Sequence, residues 1–353
     1  MTNERRGWLD RPLVQLTLVR YREFFREPEA VFWVFVFPIL LTAGLGIAFR
    51  NQAPERTAIA VVSGAPGADS LRAALAADPA LRVEGVTDAE AARALRTGRV
   101  SLVLVPKETG EVEYRYDRER PEGRAARLLA DNAVQSAGGR RDPVGVSDSF
   151  ISEPGSRYVD FVVPGLLGMN LMGSGIWGLG FAIVDARRKK LLKRLIATPM
   201  SRTQYLVSFV LSRLTLLVIE VALLLGFAVI AFGVPVRGSL AGLAGICLLS
   251  SLGFGALGLL IASRAQTVEG VSGIMNLVML PMWIFSGVFF SASRFPDAIQ
   301  PLVQLLPLTA VIDALRGSML EGASTGALLP DLAVIAGWMV VSFVLAVRLF
   351  RWR

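Results

Sequence analysis

Glu220 is the one acid well inside an apolar run of this sequence, Leu214–Phe232. A carboxylate there is costly unless neutralised, so it marks either a functional site or a pairing with Arg213, about two turns away on a similar helical face. Asn170 and Ser174 sit in a second apolar run, and Ser272 and Asn276 in a third. Such residues either face a substrate path or hydrogen-bond between helices. Met169, Met172, Met275, Met279 and Met282 share those runs. Flexible thioethers suit loosely specific apolar ligands and equally fill a core. The substrate-path candidates are therefore Asn170, Ser174, Glu220, Ser272, Asn276 and Met279.

Other chemistries are closed. The chain has no histidine, which excludes imidazole metal sites and His-dependent triads. The single cysteine, Cys247, excludes an internal disulfide framework and any Cys cluster, so no metal site is expected. Only Lys107, Lys189, Lys190 and Lys193 are lysines, and none follows a glycine. A phosphate-cradling G-x-x-x-x-G-K-[ST] loop is thus missing, and this chain is not expected to bind ATP or to act as an enzyme.

The elements that hold these residues are membrane spans. Of the 353 residues, 53% are hydrophobic and 19% charged, against about 45–50% and about 25% in soluble domains. Mean hydropathy is +0.52. Apolar runs of spanning length are Val31–Phe49, Phe161–Val184, Leu214–Phe232, Gly238–Ser263 and Gly270–Ser293, with a shorter Leu332–Val347 between Asp331 and Arg348. Phe295–Arg316 is apolar too, but Pro296, Pro301 and Pro307 break it, so it reads as half-helices dipping back into the outer leaflet. The first 30 residues are too charged for a signal peptide. Gly238-x-x-x-Gly242 and Ser251-x-x-x-Gly255 are close-packing patterns expected within the chain.

The net charge is 37 − 29 = +8, and none of it comes from Arg50–Arg157, which holds 16 basic and 16 acidic residues. Basic excess beside apolar runs is a topology signal rather than a nucleic-acid footprint. With the N-terminus inside, the inner segments carry Arg5, Arg6, Arg11, Arg20, Arg22, Arg26, Arg187, Arg188, Lys189, Lys190, Lys193, Arg194, Arg202, Arg264, Arg348, Arg351 and Arg353, while the short outer loops carry Arg237, Arg294 and Arg316. Seventeen against three predicts cytoplasmic termini and an extracellular Arg50–Arg157 insert.

The insert reads as a small α/β domain. Strands are expected at Ala58–Val62, Val100–Val105 and Glu111–Tyr116. Helices are expected at Asp69–Ala77, Asp88–Leu95 and Glu122–Gln135, the second capped by Thr87 or Asp88. Gly138–Pro154 reads as a linker. Its carboxylates are scattered among arginines, with no catalytic constellation.

Two amphipathic elements flank the spans. Asp10–Pro28 places Val14, Leu18, Tyr21 and Phe25 at helical spacing, an elbow helix suited to the inner membrane interface. In the loop DARRKKLLKRLIATPMSRTQYL, Leu191, Leu192, Leu195 and Ile196 form an apolar face, Thr198-Pro199 ends the turn, and Ser201 with Gln204 opens the next span. Topology needs only the charges of that loop; the apolar face suits docking to a cytoplasmic partner.

The segment KRLIATPMSRTQYL after a Gly-rich span resembles the coupling loop of ABC-2 type permeases, the membrane subunits of ABC exporters. LPMWIFSGVFF (Leu280–Phe290), then Pro296 and QLLPLTAVIDALRG, is similar to that family's fifth span and re-entrant hairpin. The resemblance implies an α-helical membrane protein: cytoplasmic N-terminus and elbow helix (1–30), first span (31–49), extracellular α/β domain (50–157), and a membrane domain (158–353) holding spans two to six and a coupling helix at 186–200. It further implies a bacterial or archaeal cell-membrane location, pairing with a second copy or a paralogous permease, and a separate cytoplasmic ABC ATPase that binds ATP and Mg. That ATPase would dock on Leu191, Leu192, Lys193, Arg194, Leu195, Ile196, Thr198 and Pro199. Many members carry a glutamate just before this stretch where the chain has Lys189 and Lys190, so its pairing does not carry over. The expected cargo is a hydrophobic drug, antibiotic or lipid-like molecule moving outward, with membrane lipid as a contact and no nucleic acid. The rival readings are a secondary transporter, for which Glu220 is the supporting residue, and a membrane-anchored receptor or assembly factor whose insert binds a ligand.

Overall fold

The computed structural model describes residues 12–49, 56–140, 144, 147, 155–188, 202–264 and 267–349. The chain divides into two compact units, Asn51–Ile151 and the remainder. Gly155 and Arg157 donate their backbone amides to Asp160, at 3.0 and 3.1 Å, and so are tied to the helix that follows them.

The larger unit is helical. Helix α1 is Pro12–Arg26, and Pro28 both terminates it and opens α2, Pro28–Ala48. Proline suits the first turn of a helix, where its absent N–H is not needed. Then come α6 (Tyr158–Arg188), α7 (Arg202–Phe232), α8 (Leu240–Arg264) and α9 (Val268–Phe285). The short α10 (Gln300–Leu305) and α11 (Pro307–Arg316) precede α12 (Leu329–Leu349). Among the described residues, six helices are long and apolar enough to cross a membrane. A seventh apolar stretch, Asp297–Glu321, is bent by 85° at Leu306-Pro307. The expected break is there, and its cause is the proline at position 307.

Helix boundaries exceed the apolar runs. The last helix runs Leu329–Leu349 and places Asp331 in its first turn and Arg348 in its last, which removes the shortness expected from Leu332–Val347. Twenty-one residues rise about 31 Å, the thickness of the hydrocarbon layer. Helix α7 covers Arg202–Phe232 among the described residues, so Arg213 lies within it, two turns before Glu220 as the sequence spacing implies.

Helix α6 is central. Its Val162, Leu166, Leu171, Met172 and Ile176 are fully buried, and it packs on α2, α8, α9 and α11, while α8 packs on both α6 and α12. The α6–α8 contact needs glycine. A Cβ on Gly175 would lie 2.7 Å from the Phe254 Cβ, and one on Gly258 would lie 2.6 Å from the Ile176 carbonyl oxygen. Within the α6–α8 contact the closest approach is at Gly175 and Gly258; of the patterns singled out in the sequence, Gly238 approaches main chain at least as closely. Of those, Gly255 meets Leu179 and Gly238 meets Ser318, both within the chain, but Gly242 meets only its neighbour Ser239.

The smaller unit holds a four-stranded sheet in the order β2-β1-β3-β4. Its elements are β1 (Thr57–Val62), α3 (Ala68–Ala76), β2 (Leu81–Val86), α4 (Asp88–Arg96), β3 (Leu102–Pro106), β4 (Val112–Arg115) and α5 (Pro121–Ala137). Strand β1 is parallel to β2 and β3, and β4 returns antiparallel. Alternation in β1 and β3 divides two apolar layers: Ile59, Val61, Leu102 and Leu104 with α3 and α5, and Ala60, Val62 and Val103 with α4. Strand β2 was not expected from the sequence: Arg82, Glu84 and Gly85 dilute its apolar signal, as suits an edge strand. Helix α4 opens with a Thr87–Glu90 capping box, so of the two caps the sequence left open, Thr87 and Asp88, it is Thr87 that serves.

Candidate functional site

Asn170 and Ser174 are one turn apart on the same face of α6. Both are buried, at 7% and 6% exposure. Ser174 stands between two charged side chains of α7. Its hydroxyl donates to Glu220 Oε1 at 3.0 Å and accepts from Arg213 Nη2 at 2.7 Å. Glu220 is 1% exposed. Its Oε2 and the Arg213 Nε have no hydrogen-bond partner among the described residues. The expected Glu220–Arg213 pairing thus takes the form of a serine-bridged cluster tying α6 to α7. A polar cluster of this kind in a membrane interior resists being pulled apart, because each charge would then be buried unpaired.

Asn170 does different work. Its Nδ2 donates to the Val34 carbonyl of α2 at 3.1 Å. In a regular helix that carbonyl would accept from residue 38, which is a proline and has no N–H. The helix is π-wound over Phe32–Val36 just ahead of it.

Side chains answer backbone carbonyls elsewhere too. Arg157 holds Asp160 through two contacts, at 2.8 and 2.9 Å, and donates to the Phe232 and Gly233 carbonyls at the end of α7. Arg316 lies 3.7 Å over the Phe161 ring and donates to the carbonyls of Phe161 and Gly287, the latter at 2.6 Å. Tyr158 reaches the Phe289 carbonyl, and Trp338 of α12 the Leu305 carbonyl beside the bend. Helix ends and the break at Pro307 leave most of these carbonyls without internal donors, and a bilayer offers no water to fill them; that of Phe161 lies in the first turn of α6, where Gly165 keeps its N–H. Sequence reasoning missed all four clamps. The only local signals were the Arg157–Asp160 spacing at a helix start and a cation in the last turn of α11.

The remaining candidates separate. Ser272 donates back to the Val268 carbonyl of its own helix. Met279 is buried in the unit's core. Asn276 is exposed on α9, beside exposed Leu277 and Leu280. Leu191, Leu192, Lys193, Arg194, Leu195, Ile196, Thr198 and Pro199 lie outside the described residues. The described residues contain no group of three or more metal-ligating side chains.

Residues 29–348 match the sequence profile of the ABC-2 family transporter protein. The chain is 27% identical over 179 residues to ABC transporter G family member 20 of Dictyostelium discoideum, covering 50% of this chain and 24% of that one. It is 34% identical over 106 residues to nodulation protein J of Bradyrhizobium diazoefficiens, 30% of this chain and 40% of that one. Against the probable multidrug ABC transporter permease YbhS of Escherichia coli K12 it is 24% identical over 183 residues, 51% and 48% of the two chains. The matches thus span between about a quarter and about half the length of these curated relatives.

Proposed function

The chain belongs to the ABC-2 family of transporter proteins, a multi-pass membrane family, and from that premise we propose that it is the permease subunit of an ATP-driven exporter. The observation that carries this reading is the coincidence of the family match, 29–348, with the stretch holding all six apolar helices and the bent pair. ATP and Mg are bound and ATP is hydrolysed in a separate cytoplasmic subunit. Both termini are cytoplasmic, which the seventeen-to-three basic asymmetry supports. The Asn51–Ile151 unit is then outside, α1 lies along the inner interface as an elbow, and the bent Asp297–Glu321 stretch is a re-entrant hairpin in the outer leaflet.

Two copies pair to enclose the translocation path. Asn276 is the path residue we assign, because of the six candidates it alone is exposed on a spanning helix. An amide there is better placed against a partner copy or a hydrated path than against lipid. The relative named as a multidrug permease supports a hydrophobic drug, antibiotic or lipid-like cargo.

Docking of the ATPase falls to the 186–200 segment. Burying one leucine stabilises by about 1.5–3 kcal/mol, so replacing Leu192 and Leu195 together with serine costs about 3–6 kcal/mol if both are in the interface. That weakens docking by about two orders of magnitude or more. Every basic residue is left in place, so insertion is expected to survive while ATPase co-purification and transport are lost. A double variant that keeps its ATPase and still exports sinks the docking assignment.

A further inference from the structure

We propose that Pro38 and Asn170 form a releasable hinge in the first span. The proline ring excludes a donor from the helix and crowds the carbonyl four residues back, which is Val34. The helix responds by widening: the Phe37 amide reaches Phe32, one residue further back than in an α-helix. The displaced Val34 carbonyl cannot be left bare in lipid. Asn170 supplies the donor from α6 at 3.1 Å. A primary amide on a side chain can let go and rebind; a main-chain amide in a helical ladder cannot do so without unwinding its neighbours.

The hinge lies between two differently anchored halves of the same span. Before it, α1 packs along α7, and Phe24 of α1 meets Phe35 edge-on with ring centroids 5.8 Å apart. After it, Phe37–Ala48 packs mainly on α6, with Thr42 fully buried and bonded back to the Pro38 carbonyl at 2.7 Å. The stretch ahead of the hinge is tied to α1, whereas the stretch beyond it is seated on α6 and, at Gly46 against the Phe232 ring, on the far end of α7. Helix α6 is in turn held to α8 by the Gly175 and Gly258 contacts. A shift of α1 and the part of α7 that precedes the Arg213–Ser174–Glu220 cluster, against the α6–α8 pair, bends the first span at Phe32–Pro38, while that cluster and Arg157 keep the rest of α7 on α6. Resting on the permease reading, the source of that shift is the 186–200 segment, which directly precedes α7.

The test is a double-substitution cycle on the full chain in lipid nanodiscs, followed by thermal unfolding. Asn170→Leu lowers the unfolding midpoint in the Pro38 background. Pro38→Ala returns an amide to position 38, so Asn170→Leu then produces a much smaller loss. Equal losses in both backgrounds overturn the proposal, since Asn170 would then act elsewhere than at Val34. Pro38→Leu restores the same amide if Pro38→Ala fails to accumulate. Spin labels at Val19 and Ile47, both exposed, report the bend directly. Their distance distribution is expected to narrow in Pro38→Ala relative to the parent; identical distributions overturn the hinge. Neither measurement contains the ATPase. Failure here strikes the hinge alone, whereas failed ATPase co-purification strikes the permease reading.

Discussion

The two units of this chain satisfy the same backbone chemistry by opposite means. In the Asn51–Ile151 unit, main chain answers main chain: the sheet pairs its own strands, and Thr87 with Glu90 closes a helix end three residues away. Its ion pairs, such as Lys107–Glu113 and Arg115–Asp88, are solvent-facing on both sides. In the helical unit, carbonyls left open by a proline (Val34, Leu305) or by a helix end (Phe232, Gly287) are met by side chains far away in sequence, Asn170, Trp338, Arg157 and Arg316. Water tolerates an unpaired carbonyl at a loop or strand edge, whereas hydrocarbon does not. Polar side chains therefore work mostly at the surface in one unit, the part-buried Tyr114–Asp131 bond apart, and as buried joints in the other.

The sharpest way to break this contrast is to remove one member of a joint. Glu220→Leu leaves Arg213 without its counter-charge, and the loss of a partner in a buried cluster costs about 3–5 kcal/mol. Thermal unfolding in nanodiscs and yield in the membrane are expected to fall together. Lys107→Ala removes an exposed partner in the other unit and is expected to cost about 0–1 kcal/mol. Comparable effects from the two would erase the distinction.

Next in size are the close approaches. Gly258→Ala puts a methyl against the Ile176 carbonyl, with main chain on both sides and no side chain to yield. Overpacking of this kind costs about 1–3 kcal/mol, seen as a lower unfolding midpoint. Arg316→Lys keeps the charge but loses the planar fork that reaches two carbonyls while lying over Phe161. A loss of about 1–3 kcal/mol is expected for carbonyls left unanswered, and an unchanged midpoint would show that lipid headgroups or water reach them.

The smallest effect belongs to the water-facing unit and to acid. The Thr87 backbone amide, followed by its hydroxyl, holds Glu90 below its ordinary value, and Arg115, followed by Lys107, does the same for Glu113. Groups depressed on folding contribute stability that is complete above the ordinary carboxylate range and is lost as pH falls through their folded values. Amide hydrogen exchange in this unit is expected to accelerate modestly on acidification below that range. Glu90→Gln together with Glu113→Gln should flatten the profile; an unaltered profile assigns the acid sensitivity to other carboxylates.

How legible was all this in the chain? The spans, the bend at Pro307, the α/β character of the insert and the Thr87 cap were readable, because each depends on residues within about twenty positions of one another. An apolar run is long or short, a proline breaks the helix it sits in, and a cap lies three residues from its acceptor. The family resemblance was readable in KRLIATPMSRTQYL and in the stretch from Leu280 to Gly317. Strand β2 escaped because an edge strand with one open side needs no continuous apolar run.

What the sequence by itself determined is where polar residues are expensive: Glu220, Asn170, Ser174 and Asn276 all sit in apolar runs and demanded explanation. What only the tertiary structure decided is how each is answered. Ser174 could not be assigned to Glu220 and Arg213, or Asn170 to Val34, without knowing that α6 lies against both α2 and α7. Separations of 46, 39 and 136 residues carry no local signal. The same is true of Asn276, whose composition and setting match those of Asn170 but which the packing leaves exposed. Desolvation sets the cost of a polar group from its own stretch of chain, while a hydrogen bond exists only between atoms that the whole fold brings within about 3 Å of each other.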